Sequence, residues 1–176
     1  MPALMDRPQA DEYAPYFSRY ISLLPEGGVI ELLRSQNHDT VTRLANLTEA
    51  QALHRYEPGK WSVKETIGHL ADGERVFSYR ALRFARGDET PLPGFEENEW
   101  VPAARFDRRP LTALLGEYTA VRAATIALFS TFDETEWSRR GVANDTPISV
   151  RALACCILGH ELHHMSLLRD RYGVTP

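Results

Sequence analysis

Two histidines near the C-terminal end of the chain have the spacing of metal ligands. His160 and His164 are four residues apart in residues 149–172, whose apolar periodicity predicts a long helix. Side chains at that spacing lie on one helix face about one turn apart, so both imidazoles could bind one metal ion. They also interrupt an apolar stripe that runs from Leu153 to Leu168. Because buried polar groups need partners, the pattern predicts either a buried metal site or two packed histidines that bind nothing.

The residues beside this pair leave alternatives open. Glu161 completes the pattern H-E-x-x-H, in which the glutamate of zinc proteases acts as general base. Leu167 and Asp170 stand where the extended protease motif requires glycine and histidine, so a protease is disfavoured. Glu161 therefore remains a candidate general base, a hydrogen-bond acceptor beside the ligands, or a surface residue. His163 could replace His164 as the partner of the first histidine, but a position outside the ligand set or facing solvent is favoured.

Composition restricts the class of protein. The 176 residues are 43% hydrophobic, which is typical of one globular domain. A net charge of −4 and the lack of a basic block disfavour nucleic-acid binding. No apolar run has membrane-spanning length, and the first twenty residues do not resemble a signal peptide. The adjacent Cys155 and Cys156 are too close in one helix to pair, so we expect small core residues and a cytoplasmic location.

Four predicted helices must position the histidines. Their apolar stripes and start signals place them at residues 29–44, 62–86, 111–131 and 149–172. Residues 1–24 read as an N-terminal arm whose aromatic second half packs on the body, and residues 25–176 read as a single domain. Residues 87–109 form a long, acidic, proline-rich connection, which is typical of a functional lid or a crossover, with a solvated connector as the alternative.

The second helix supplies further candidates. His69 lies beside Gly73, which leaves room for a close neighbour or an open volume. Glu74 interrupts the apolar stripe, so we expect it to be hydrogen-bonded, ion-paired or near a metal, unless the helix is rotated and turns it to water. Asp72 is one turn from His69 and could orient its imidazole, or it could be a solvated helix residue.

Two motifs together resemble the DinB-like family of metalloenzymes. They are GKWSVKETIGHL at residues 59–70 and GHELHH at residues 159–164, and the helix pattern between them matches as well. The resemblance implies an all-α four-helix bundle with up-down-down-up order, in which the connection between the second and third helices is the crossover. It also implies that His69, His160 and His164 bind zinc or nickel, with a water in an open position. Some relatives are homodimers, and some are thiol S-transferases that use a low-molecular-weight thiol.

Three neutral nitrogen ligands with an open fourth position are typical of a catalytic rather than a structural metal. This chemistry and the resemblance together predict a cytoplasmic, metal-dependent transferase or hydrolase that acts on a small molecule, and the resemblance implies a homodimer. Two alternatives remain. One is a non-catalytic bundle in which a metal only joins helices and which serves as a ligand-binding or protein-interaction module. The other is a metal-free bundle with three packed histidines.

Overall fold

Four long helices form the body of the structure, a computed structural model that describes residues 7–174. They are α2 (Val29–Leu44), α4 (Val63–Ala85), α6 (Leu111–Phe129) and α8 (Val150–Tyr172). The shorter helices are α1 (Ser18–Ile21), α3 (Glu49–Ala52), α5 (Glu97–Ala104) and α7 (Glu134–Ser138), and 3₁₀ turns occur at Ala10–Glu12, Pro15–Phe17 and Phe106–Arg108. Strands β1 (Arg140–Ala143) and β2 (Thr146–Ser149) pair as an antiparallel hairpin. Within the described range, no helix is long and apolar enough to cross a membrane.

Serine caps fix where the two histidine-bearing helices begin. The Ser62 hydroxyl accepts a hydrogen bond from the Glu65 backbone N–H at 3.0 Å, and the Glu65 carboxylate accepts one from the Ser62 N–H at 2.8 Å. At the start of α8, the Ser149 hydroxyl accepts from the Ala152 N–H at 3.0 Å. These caps satisfy backbone donors that would otherwise lack partners. All four predicted helices are confirmed, with ends within two residues of the prediction.

Contacts between helices establish their directions. Helix α4 runs antiparallel to α8, because Trp61 at the start of α4 accepts a hydrogen bond from Tyr172 at the end of α8. Helix α4 runs parallel to α6, since Lys64 contacts the backbone of Asp107 before α6 and Arg75 pairs with Glu117 inside it. Helix α2 runs parallel to α8, as Gln36 bonds to Leu158 and Thr40 to Glu161. The predicted up-down-down-up order is therefore confirmed.

The crossover between α4 and α6 is more ordered than its sequence indicates. It must span the bundle because the two helices are parallel, and it contains α5, which the sequence does not predict, since Pro102 and the acidic residues around it favour a loop. Leu92 in this crossover makes two backbone hydrogen bonds to the hairpin, donating to Val142 of β1 at 2.9 Å and accepting from Asn144 of the turn at 3.0 Å. The crossover is thereby fixed to the hairpin.

The hairpin is also absent from the sequence prediction, because strands of four residues are too short for a recognisable alternation. In the sequence, Asn144 and Asp145 indicate only a helix breaker. Both adopt positive φ angles, 52° and 58°, as in the two-residue turns that favour twisted hairpins. The hairpin leads directly into α8, so it sets the entry of the helix that carries two of the histidines.

The described part of the N-terminal arm, residues 7–24, lies against α8. Gly159 allows this approach, because a Cβ atom there would lie 2.2 Å from the Tyr20 carbonyl oxygen. Arg7 donates hydrogen bonds to the carbonyl oxygens of Ile21 and Leu24, which hold the arm in a turn. Residues 1–6 of the arm lie outside the described residues, and the division at residue 24 remains a prediction.

Candidate metal centre

Three imidazoles converge between α4 and α8. His69 comes from the second turn of α4, and His160 and His164 lie one turn apart on α8. The Nε2 atom of His160 is 2.9 Å from Nε2 of His69 and 3.1 Å from Nε2 of His164. The three ligand atoms all lie within 4.8 Å of one another, and within residues 7–174 no other group of three such side chains converges in this way.

The geometry fits a bound cation better than a hydrogen-bonded cluster. A neutral imidazole nitrogen carries either one proton or one lone pair, so His160 Nε2 satisfies only one of its two close contacts by hydrogen bonding. Ligand nitrogens 2.0–2.1 Å from a tetrahedral zinc ion are separated by about 3.3 Å. The distances from His160 Nε2 to the Nε2 atoms of His69 and His164 are near that value, so the three side chains are suited to one divalent ion.

Burial keeps these imidazoles in the form that binds metal. Burial lowers the pKa of His69 from 6.5 to about 4. Burial, together with the neighbouring His69 and His163, lowers the pKa of His164 to about 3. The pKa of His160 is well below 6.5, first because of burial and then because of the neighbouring histidines. All three are therefore neutral at pH 7, with lone pairs available for a metal.

Aromatic rings and one glycine surround the cluster. Ring centroids lie 4.7 Å apart for Trp61 and His69, and 5.5 Å apart for Tyr20 and His160. Gly73 leaves the space that His160 occupies, since a Cβ atom at position 73 would lie 3.3 Å from the Cε1 atom of that ring. The prediction that Gly73 accommodates a close neighbour is therefore confirmed.

One side of the cluster faces a cavity of about 450 Å³. Its walls come from α4, α8, the arm, the crossover and the hairpin tip. The lining includes the three histidines together with Phe17, Tyr20, Phe77, Arg80, Phe95 and Asn144. Arg80 and Glu97 are the two charged side chains of its lining within the described part of the chain, if the histidines are neutral. A volume of this size accommodates a small organic molecule.

Glu161 is adjacent to the histidine cluster in sequence, but its side chain belongs to a separate buried hydrogen-bond network. Its side chain is 2% exposed, so the alternative of a surface residue is wrong. One carboxylate oxygen accepts hydrogen bonds from Tyr118 at 2.6 Å and Thr40 at 2.5 Å, and the other accepts from Arg122 at 2.6 Å. Both oxygens of this candidate base are thus already hydrogen-bonded.

Arg122 connects this network to Glu74. Its guanidinium donates to both carboxylate oxygens of Glu74, at 2.8–3.0 Å, and to the carbonyl oxygen of Leu33 at 3.1 Å. Burial alone would lower the pKa of Arg122, but the carboxylates of Glu161 and Glu74 raise it above its usual value. The expectation that Glu74 is ion-paired is confirmed. The network joins all four long helices directly beneath the histidine cluster.

The remaining sequence candidates lie outside the cluster. His163 is partly exposed and lines the cavity, with its ring 5.6 Å from that of Tyr20. Asp72 pairs with Arg75 at 3.3 Å and does not belong to the group of converging ligands. His38 on α2 is exposed.

Arg80 is the residue of the site that sequence reasoning missed. A signal was present, because Arg80 continues the helical line of His69, Gly73 and Val76 at helical spacing. Arginines at such positions normally reach solvent, so the spacing alone did not distinguish it. Its burial depends on the crossover and the hairpin, whose packing could not be predicted.

Sequence comparisons identify relatives over most of the chain. A sequence model of the DinB superfamily matches residues 32–168. A protein of Geobacillus kaustophilus, named as an inferred metal-dependent hydrolase, is 26% identical over 151 residues, which cover 82% of this chain and 84% of the relative. A protein of Geobacillus thermodenitrificans with the same kind of name is 29% identical over 139 residues, or 74% of this chain and 76% of the relative.

Comparison with solved structures finds the same fold in two proteins. YfiT from Bacillus subtilis, described as a probable metal-dependent hydrolase with an unusual four-helix bundle topology, superposes with a TM-score of 0.74 at 18% identity, covering 90% of this chain and 99% of YfiT. A mycothiol-dependent maleylpyruvate isomerase superposes with a TM-score of 0.65 at 17% identity, covering 84% of this chain and 62% of the isomerase. These likenesses concern the fold. The family match over residues 32–168 shows that the chain belongs to the DinB superfamily.

Proposed function

We propose that this protein is a metal-dependent enzyme that activates a small nucleophile, water or a low-molecular-weight thiol, for attack on a small-molecule electrophile. His69, His160 and His164 would bind the metal, with zinc or nickel as the expected ions. The observation that carries the proposal is that three neutral imidazoles converge at the wall of an accessible 450 Å³ cavity. The names of the curated relatives, inferred metal-dependent hydrolases, support it.

A divalent ion held by three imidazoles keeps a coordination position open and lowers the pKa of a water or thiol there toward neutrality. The chain supplies the surroundings. Burial holds the three imidazoles neutral, and Trp61 and Tyr20 restrict the access of bulk water to them. The Arg122 network fixes the helix turn that carries His160, because it binds the adjacent Glu161.

The position of the nearby carboxylates favours an enzyme over a metal that only joins helices. A structural site is normally closed by a fourth protein ligand. Glu74 and Glu161 are bound to Arg122, and Asp72 to Arg75, so these three candidates are engaged elsewhere. His163 lines the cavity and is not among the converging ligands. The open side of the cluster therefore remains available to a small molecule.

The metal content of His160→Ala, compared with His38→Ala, tests the site. We expect the wild type and His38→Ala, whose histidine is exposed, to purify with about one transition-metal ion per chain, and His160→Ala to lose it. Elemental mass spectrometry on untagged protein, purified without chelator or added metal, measures this. Unchanged metal content in His160→Ala would refute the assignment.

Two activity screens distinguish the nucleophiles. Hydrolysis of activated esters and amides tests water, and conjugation of a low-molecular-weight thiol to an alkylating electrophile tests the thiol. Either activity should disappear in His160→Ala and persist in His38→Ala. A metal-loaded protein that is inactive in both screens would favour the non-catalytic alternative, a ligand-binding or interaction module.

The proposal extends to a homodimer, which the family resemblance supports, and to a cytoplasmic location, which the free cysteines Cys155 and Cys156 support. Sedimentation equilibrium of the metal-loaded protein tests the dimer. Fractionation of the source cells tests the location.

A further inference from the structure

Arg80 is a buried cation without a carboxylate partner. Its side chain is 6% exposed, and within residues 7–174 no carboxylate lies within ion-pair distance of it. One guanidinium nitrogen, Nη2, donates to the Pro93 carbonyl oxygen at 2.7 Å. No hydrogen bond within that range uses Nη1 or Nε. Neither nitrogen is among the fully buried atoms without a partner in the described residues, so both contact accessible space, and Arg80 lines the cavity. These donors are therefore available to an anion that enters with a ligand.

The guanidinium is held at the wall of the cavity that the histidines share. It lies 6.0 Å from the ring centroids of both Phe77 and Phe95. Phe77 in turn lies 6.2 Å from the ring of His160. An aromatic wall therefore separates the cation from the histidine cluster, and both line the same space.

Helix α4 sets the distance between Arg80 and the histidine cluster. Arg80 follows His69 by eleven residues, which is three turns and about 16 Å along the axis of α4, on the same face. Long side chains on a helix lean toward its N-terminus, so the guanidinium is directed back toward His69. A molecule of a few ångströms to one nanometre in length could reach both groups.

We propose that the cavity binds a small carboxylic acid whose carboxylate pairs with Arg80, whose apolar body contacts Phe77 and Phe95, and whose reactive end faces the histidine cluster. The proposal rests on the proposed function, since it takes this cavity as the substrate site. It adds the chemical class of the substrate.

The charges of the cavity favour a carboxylate over a phosphate. A guanidinium offers a planar fork that binds the two oxygens of one carboxylate. Arg80 is the one cationic side chain of the lining within the described residues, and Glu97 lies in the same wall. The single negative charge of a carboxylate equals the single positive charge of Arg80, whereas a dianionic phosphate would exceed it and would be repelled more strongly by Glu97.

Phenylacetate and its neutral analogue phenylacetamide test the proposal by isothermal titration calorimetry. Both are measured on chelator-stripped and on zinc-loaded protein, with the zinc content determined in each case. We expect the wild type to bind the carboxylate about tenfold or more tightly than the amide in both states. Arg80→Gln should remove this preference, and Arg80→Lys, which keeps the charge but not the fork, should retain part of it.

Arg75→Gln is the matched control. Arg75 lies on the same helix, outside the cavity, and pairs with Asp72 and Glu117. It should keep the full preference. Circular dichroism melting of each variant checks that the fold is retained, and Arg80→Lys provides the test if Arg80→Gln does not fold.

Three outcomes would overturn the proposal: no carboxylate binding, equal affinity for acid and amide, or a preference that appears only with zinc and survives Arg80→Gln. A zinc-loaded protein without carboxylate preference would leave the proposed function standing. A protein that takes up no zinc but keeps an Arg80-dependent preference would refute the metal site and retain the carboxylate site.

Discussion

His160 and Glu161 are neighbours in sequence but face different surroundings. A helix turns about 100° per residue, so the imidazole faces the cavity while the carboxylate faces the buried network of Arg122. The imidazole is kept neutral by burial, and the carboxylate is matched by a buried guanidinium. Two adjacent polar residues are thus buried in different ways, one as a neutral ring and one as a paired charge.

Substitutions in this network should show whether Glu161 positions the helix or acts as a general base. We expect Glu161→Gln to lower the free energy of unfolding by about 2 kcal/mol, because an amide donor then faces Arg122. Arg122→Met should cost more, about 3–5 kcal/mol, since it leaves two buried carboxylates without a cation. Urea denaturation measures both. If Glu161→Gln keeps its stability and metal but loses activity, Glu161 acts as a base instead.

The sequence predicted that Glu74 needs a partner, but it did not identify the residues that bind it. Glu74 interrupts an apolar stripe, and that pattern correctly required a partner. Arg122 could not be identified, because it lies 48 positions later in the chain on another helix. Ion pairs across helices depend on how the helices pack, which periodicity within one helix does not contain.

At the scale of the elements, α4 carries residues of both proposed sites along one face. It presents His69, then the space above Gly73, and then Arg80. The capping box at Ser62 fixes where this face begins, and that start could be predicted because the signal is local. The crossover and the hairpin that complete the cavity could not be predicted, because their order arises from backbone pairing between Leu92 and β1.

Gly73→Ala should separate helix stability from metal binding. Alanine favours the helix by up to about 1 kcal/mol, but its Cβ would lie 3.3 Å from the His160 ring and displace it. We expect unchanged or higher stability and weaker metal binding, by about tenfold for a shift of a few tenths of an ångström. Competition with a chromogenic chelator measures the affinity.

Gly116→Ala is the control for this substitution. Gly116 lies in α6 and is exposed, and within the described part of the chain no neighbouring atom would come within 4 Å of a Cβ added there. This variant should gain stability and keep its metal affinity. Equal metal affinity in both variants would contradict the close packing of His160 on α4.

For the whole molecule, the histidines should make the free energy of unfolding depend on pH and on bound metal. In the metal-free protein they are neutral when folded, with pKa values of about 4 for His69 and about 3 for His164, against about 6.5 when unfolded. The unfolded chain therefore binds more protons below pH 6.5. Stability should fall as the pH decreases from 6.5 and level off near pH 3–4, by up to about 1.4 kcal/mol per pH unit for each histidine.

Urea denaturation of chelator-treated protein at pH 7.5 and 5.5 measures this effect. His160→Gln should lose less stability over the same interval, because one buried titrating group is absent. Bound metal should raise the stability at pH 7.5, since the ion binds the folded chain and joins α4 to α8. Identical pH dependence in the wild type and His160→Gln would contradict the buried, neutral state of this imidazole.

The parallel arrangement of α4 and α6 has a consequence for how such proteins diversify. The parallel pair requires a crossover the length of the bundle, and this crossover, with the arm and the hairpin, forms the cavity walls that do not belong to the helices. The ligand histidines lie on α4 and α8 alone. The candidate ligands and part of the cavity wall are therefore carried by separate stretches of chain, although Phe77 and Arg80 of that wall lie on α4 as well. Exchanging the crossover between two relatives should alter the preference for the body of a substrate, while the metal affinity and the preference for a carboxylate stay with the recipient.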